Sequence, residues 1–156
     1  MTRTAEKTGR ILIVDDEEGV RSFLVETLER VGHEVEQAPD GKAAIELARR
    51  EPFDVVMTDL RMPVLGGMDV VRTLRTEQPD TEVIVLTAFG DVPTAVEAMK
   101  LGAMDFLEKP VKGPADVRAL VARALGRRRE LAPEAPSPEI GRRDRAFVSR
   151  APVMTA

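Results

Sequence analysis

The chain has 156 residues, 43% of them hydrophobic, which is enough for one cored domain and too little for two independent ones, and it has no cysteine, which excludes disulfides, thiolate metal sites and cysteine nucleophiles. The net charge of -4 is unevenly spread: Gly126 to Ala156 carries seven arginines against four acids, which leaves -7 for Met1 to Leu125, an acidic body unsuited to coating nucleic acid. No apolar run approaches the ~20 residues needed to cross a bilayer, and the polar stretch Met1 to Arg10 lacks a signal-peptide core, so a cytoplasmic protein without a membrane partner is expected.

In chain order, Ile11-Leu12-Ile13-Val14 is a short, β-branched, continuously apolar run of the kind buried on both faces of a parallel sheet. Two acids follow it. Val20, Phe23, Leu24, Leu28 and Val31 recur at helical spacing from Glu18 to Val31, and Gly32 supplies a stop. His33, between Gly32 and Glu34, is expected to be a solvated loop residue. Val35 lies in a weaker strand. Asp40 can cap a second helix carrying Ala44, Ile45, Leu47 and Ala48, and Val55-Val56-Met57 forms a third strand.

Gly66-Gly67 lacks the spacing and strand context of a dinucleotide or P-loop motif and reads as a loop entering a third helix, Met68 to Leu74. Val83 to Leu86 is a fourth strand, Val92 to Leu101 a fourth helix ending at Gly102, and Phe106-Leu107 a short fifth strand. A fifth helix starts near Ala115. Arg127-Arg128-Arg129 reads as its solvated, dipole-favoured end. Past Leu131, Pro133, Pro136 and Pro138 fall among Ala, Glu and Ser, a composition that cannot bury enough surface to offset ordering entropy. The organisation expected is a disordered N-terminus over 1–9, one domain over 10–131, and a linker and tail over 132–156.

Strands alternating with helices imply right-handed crossovers and a parallel sheet covered on both sides, an α/β, (βα)5, flavodoxin-like doubly wound sandwich with a five-stranded parallel sheet. In such sheets the functional site forms beyond the carboxyl ends of the strands. Asp15-Asp16 ends the first strand, Asp59 the third, Thr87 the fourth and Lys109 the fifth. Three carboxylates at one edge repel one another unless a cation neutralises them, and an all-oxygen cluster without His or Cys points to Mg2+. Lys109 then offers a point charge, and Thr87 a hydroxyl, to the oxygens of an incoming phosphoryl group, whose transfer needs mainly positioning and charge neutralisation.

These residues stand in longer motifs: Ile13-Val14-Asp15-Asp16-Glu17, the run Asp54 to Pro63 around Asp59, Leu86-Thr87-Ala88, and Lys109-Pro110. Together they resemble the receiver family of bacterial two-component response regulators, from Arg10 to about Leu125. The resemblance implies that Asp59 is the phosphoacceptor, supplied by a sensor histidine kinase, and that Asp16 binds Mg2+ directly while Asp15 binds it largely through water. The backbone carbonyl of Arg61 would complete the protein ligands. Thr87 and Phe106 resemble the family's switch pair, in which the hydroxyl moves toward the phosphoryl group and the ring turns inward. Phe106 has no hydroxyl for a partner that reads a Tyr there. Lys109-Pro110 resembles the family's cis peptide.

Phosphorylation would then bias the face formed by the fourth helix, fifth strand and fifth helix, which dimerises in many relatives. A stripe of Val117, Val121, Ala124 and Leu131, interrupted by Arg128, offers the extended last helix a short coiled coil, with packing of its first half on the domain's own sheet the alternative. Phe147 to Met154 resembles the segment opening the ATPase domain of sigma-54-dependent transcriptional activators. That implies the receiver and linker of a nitrogen-regulation-type activator, with an output ATPase domain as partner. No Walker motif is present, so neither ATP hydrolysis nor direct nucleic-acid binding is expected of these residues. The protein reads as a signalling phosphoacceptor, not an enzyme on a separate substrate.

The alternatives are a stand-alone receiver acting by protein binding, an aspartyl-phosphate phosphatase of the haloacid dehalogenase type, and a receiver that binds partners unphosphorylated. The phosphatase needs a second Asp two residues after the nucleophile, where this chain has Arg61. The intact acids, Thr87 and Lys109 argue against the unphosphorylated form.

Overall fold

The computed structural model of the chain describes residues 8–62, 65–111 and 113–131, with side chains as far as 127. Pro63, residues 1–7 of the N-terminus, the linker Ala132 to Glu139, and the tail with its Phe147 to Met154 resemblance lie outside the described residues.

Among the described residues ten elements alternate: β1 (Arg10–Val14), α1 (Glu18–Glu29), β2 (Glu34–Ala38), α2 (Gly41–Arg50), β3 (Val55–Asp59), α3 (Gly67–Glu77), β4 (Glu82–Ala88), α4 (Val92–Lys100), β5 (Asp105–Lys109) and α5 (Pro114–Leu131). All strand pairs are parallel and the sheet order is β2-β1-β3-β4-β5, the flavodoxin-like order expected. Because successive strand residues point to opposite faces, the continuous apolar runs split evenly between two cores. Leu12, Val14, Val56, Val83 and Val85 face α2, α3 and α4. Ile11, Ile13, Val55, Met57, Ile84 and Leu86 face α1 and α5. That is why β1, β3 and β4 carry no polar alternation.

The weaker periodicity of β2 has the same cause. It is an edge strand, so only Ala38 of its five residues is buried and Glu34, Glu36 and Gln37 meet solvent. The Asp40 cap forms as expected, its carboxylate accepting from the Ala43 N–H at 2.9 Å. The third helix is longer than Met68 to Leu74, because Gly67 joins its first turn and packs on the end of β3 while Arg75 carries the last turn to carbonyls of the following loop.

Two expectations are corrected and a third is decided between its alternatives. His33 is not solvated: it is 8% exposed, and its Nδ1 accepts the Gly9 N–H at 3.1 Å because the segment before β1 runs beside the start of β2. Arg127 is not simply a solvated terminus, since its Nε donates at 2.9 Å to Glu82, a carboxylate otherwise buried under α5. The last helix does continue to Leu131, but Val117, Val121 and Ala124 are fully buried in the domain's own core. Those three residues are therefore spent on the sheet and unavailable to a coiled coil. The side chain of Leu131 lies outside the described residues.

Candidate functional site

The parallel sheet sends the carboxyl ends of all five strands to one rim. β1 and β3 are adjacent, with Val14 opposite Thr58, so the residues that follow, Asp15 and Asp59, emerge side by side. Asp15, Asp16 and Asp59 each offer a carboxylate oxygen within 4.8 Å of the other two. Asp15 is fully buried, Asp59 nearly so, and Asp16 exposed at the mouth.

Lys109 reaches this cluster from the edge strand β5. Its Nζ lies 3.1 Å from Asp15 Oδ2, 3.2 Å from Asp59 Oδ2 and 3.2 Å from Glu17 Oε1. The Lys109-Pro110 peptide is cis. Burial lifts the Asp15 carboxyl above its ordinary value; the Glu17 N–H opposes this at 2.9 Å, the Asp59 charge adds to it, and Lys109 opposes it. Burial works against the Lys109 ammonium, yet the hydrogen bond to Asp15, the charges of Asp59 and Asp15 and the hydrogen bond to Glu17 outweigh it and hold the group above the usual lysine value. One ammonium thus answers several carboxylates, leaving a net negative, all-oxygen pocket.

Mg2+ takes oxygens at about 2.0–2.1 Å, so two ligands on opposite sides of the ion lie roughly 4 Å apart, near the spacing found here. A cluster of three carboxylates within 4.8 Å is of the all-oxygen chemistry that ion takes. The Arg61 N–H lies 3.3 Å from Asp59 Oδ1, which puts the Arg61 backbone beside the cluster.

Thr87 is buried one strand away, and its hydroxyl donates at 3.2 Å to the Asp91 carbonyl at the start of α4, not into the cluster. Phe106 is half-buried and packs against the core on the α2-α3-α4 side. The rim opens into a groove of about 570 Å³ lined on one side by Gly19, Val20 and Phe23 of α1 and on the other by Ala88, Phe89 and Pro110. Phe89 is 78% exposed at its edge.

Two contacts escaped the sequence reading. Glu17, quoted in the first motif without a role, is a partner of Lys109. Arg21 donates to the Asp15 carbonyl at 2.6 Å and to Gln37 at 2.8 Å, which fixes the loop after β1. Glu17 could have been found from its place beside the acidic pair. Arg21 looks like any charged residue on an amphipathic helix.

The family model for the response regulator receiver domain matches residues 11–122. The chain is 45% identical over 127 residues to the response regulator protein PilR of Pseudomonas aeruginosa, an alignment covering 81% of this chain and 28% of PilR. It is 38% identical over 157 residues to the alginate biosynthesis transcriptional regulatory protein AlgB of the same organism, covering 100% of this chain and 35% of AlgB. Among solved structures it is similar to a response regulator receiver domain protein from Clostridium thermocellum (TM-score 0.74, 35% identity, 79% of this chain and 98% of that one). It is also similar to NtrX from Brucella abortus (TM-score 0.76, 28% identity, 80% of this chain and 28% of that one). The chain thus spans about a third or less of PilR, AlgB and NtrX.

Proposed function

Because the chain belongs to the response regulator receiver domain family, we propose that it is a phosphoacceptor of a two-component system that takes a phosphoryl group on Asp59 from a histidine kinase and passes the change to a transcriptional output. The observation that carries this is the meeting of Asp15, Asp16, Asp59 and Lys109 at one rim of the sheet.

A carboxylate oxygen of Asp59 attacks phosphorus in line, the P–N bond to the donor imidazole breaks, and an acyl phosphate forms on Asp59 as the imidazole leaves. Mg2+, when bound, would supply charge neutralisation at the equatorial phosphoryl oxygens. Asp16 would hold it directly, Asp15 through water, and Asp59 and the Arg61 carbonyl from the β3 side. Lys109 presents an ammonium to a phosphoryl oxygen, and its multiple carboxylate contacts keep that ammonium charged and aimed. Thr87 donates to another oxygen once its hydroxyl leaves Asp91, and the half-buried Phe106 follows it. The groove between α1 and the β5–α5 connection gives a donor helix a path to Asp59. Catalysis is confined to gain and loss of the chain's own phosphoryl group.

The output reading is supported by the similarity to AlgB, a transcriptional regulatory protein, and by the greater length of the relatives. The tail's resemblance to the opening of a sigma-54 activator ATPase domain makes such a domain the output partner we propose, joined to a receiver over 10–131 through the linker and tail over 132–156. A homodimer through α4, β5 and α5 is supported by Val92, Val96 and Met99, an exposed apolar stripe at helical spacing on α4.

The test is incubation with acetyl phosphate and Mg2+ followed by intact-mass measurement. Wild type should gain one phosphoryl group, and Asp59→Asn and metal-free wild type should not. An unlabelled wild type beside a labelled control receiver would refute the reading.

A further inference from the structure

Asp91 gathers side chains from three elements at the point where β4 gives way to α4. Its carbonyl accepts the Thr87 hydroxyl at 3.2 Å and, as the start of the helix, the Ala95 N–H at 3.3 Å. Its carboxylate accepts the Thr94 hydroxyl at 2.7 Å and the Arg61 guanidinium at 3.1 Å. Its N–H closes a turn onto the Ala88 carbonyl at 3.0 Å. A hydroxyl has one proton to donate. While Thr87 gives it to Asp91, none is left for an oxygen on Asp59.

We propose that Asp91 is a positioning residue that holds the Thr87 hydroxyl off the Asp59 site, its carboxylate anchoring the accepting carbonyl through Thr94 and Arg61. This rests on the role given to Thr87 above. The two anchors are unequal. Arg61 is largely exposed, so its ion pair with Asp91 is screened and secondary, while the shorter Thr94 bond lies within the first turn of α4. Arg61 nevertheless ties Asp91 to the loop that follows Asp59, so a change on Asp59 reaches Asp91 by two routes, the Thr87 hydroxyl and the Arg61 backbone. Removing the Asp91 carboxylate loosens the carbonyl, weakens the hold on Thr87 and lowers the cost of bringing the hydroxyl to Asp59.

Beryllium trifluoride, a phosphoryl mimic, reads this equilibrium when titrated into the 156-residue chain at saturating Mg2+ and followed by amide NMR. Asp91→Ala is expected to lower the half-saturating concentration about threefold to tenfold, the range of one ordinary net hydrogen bond. Thr94→Val should lower it by a smaller factor, and it carries the test if Asp91→Ala does not fold. In a Thr87→Val background the Asp91→Ala shift should shrink to less than about twofold, because no hydroxyl remains to be held. Unchanged or weaker binding in Asp91→Ala or Thr94→Val overturns the proposal, as does an equal shift in both backgrounds. A wild type that takes up no beryllium trifluoride fails earlier, and overturns the phosphoacceptor reading together with this one.

Discussion

Replacing Gly67 by Ala probes how closely the first turn of α3 is seated on the strand that carries Asp59. A Cβ at this position would overlap the Asp59 carbonyl oxygen and come within 2.8 Å of Leu60 Cα and 3.0 Å of the Asp59 carbonyl carbon. All three are backbone atoms of the end of β3 and its exit, so no side-chain rotation relieves the overlap. The helix must lift, stretching the 3.1 Å bond from the Gly67 N–H to the Leu60 carbonyl. Overpacking of this kind costs about 1–3 kcal/mol, equivalent to roughly 4–12 °C in Tm for a domain of this size. Because the overlapped atoms belong to Asp59 and its neighbour, phosphorylation should slow as well. Urea denaturation gives the stability change, with an unchanged m-value showing that the unfolded state is unaltered, and acetyl phosphate labelling gives the rate. Gly66→Ala is the graded control, its Cβ meeting only the Leu60 carbonyl at 3.2 Å. A Gly67→Ala protein as stable as wild type would refute the packing of α3 described here.

Gly126→Ala should have the opposite sign, since its Cβ meets nothing within 4 Å inside α5, and a gain of about 0.5–1 kcal/mol is expected in the same urea experiment. Asp40→Ala removes the acceptor for the Ala43 N–H and should cost about 1 kcal/mol by thermal melting, without changing acetyl phosphate labelling. Asp15→Asn should weaken or abolish Mg2+-dependent labelling while raising Tm at pH 7 without metal. Folding raises the Asp15 carboxyl above its ordinary 3.8, so the native state binds the extra proton just above that pH and stability at this group falls as pH rises through the window; the variant's advantage should therefore shrink toward pH 4. Lys109 has the reverse sense: its raised value gives stability that is whole below pH 10.5 and is lost as pH climbs past it, so Lys109→Met should flatten the alkaline limb of the melting profile.

Burial on two faces erases polar alternation, so Ile11 to Val14, Val55 to Met57 and Val83 to Leu86 announced a covered parallel sheet by their runs alone. Element order and the acids at strand ends were equally legible, because both are local in the chain. Helix ends were less so. Gly67 is a helix residue because of what it touches, not because of a left-handed φ, and no local pattern records that contact. Edge strands were the faintest, since half of each faces water and the pattern thins.

What the residue order alone determined was the inventory: which acids, which lysine and which hydroxyl sit at the carboxyl ends of strands. Only the tertiary structure decided their meeting, because it depends on strand order. β1 lies against β3, which joins Asp15 to Asp59, and Lys109 reaches Asp15 across 94 positions of chain. The burial of His33 against Gly9, the clamp of Arg21 on Asp15 and the hold of Asp91 on Thr87 belong to the same class. Each joins a side chain to a backbone group, and a backbone group carries no residue-specific mark for a sequence pattern to register.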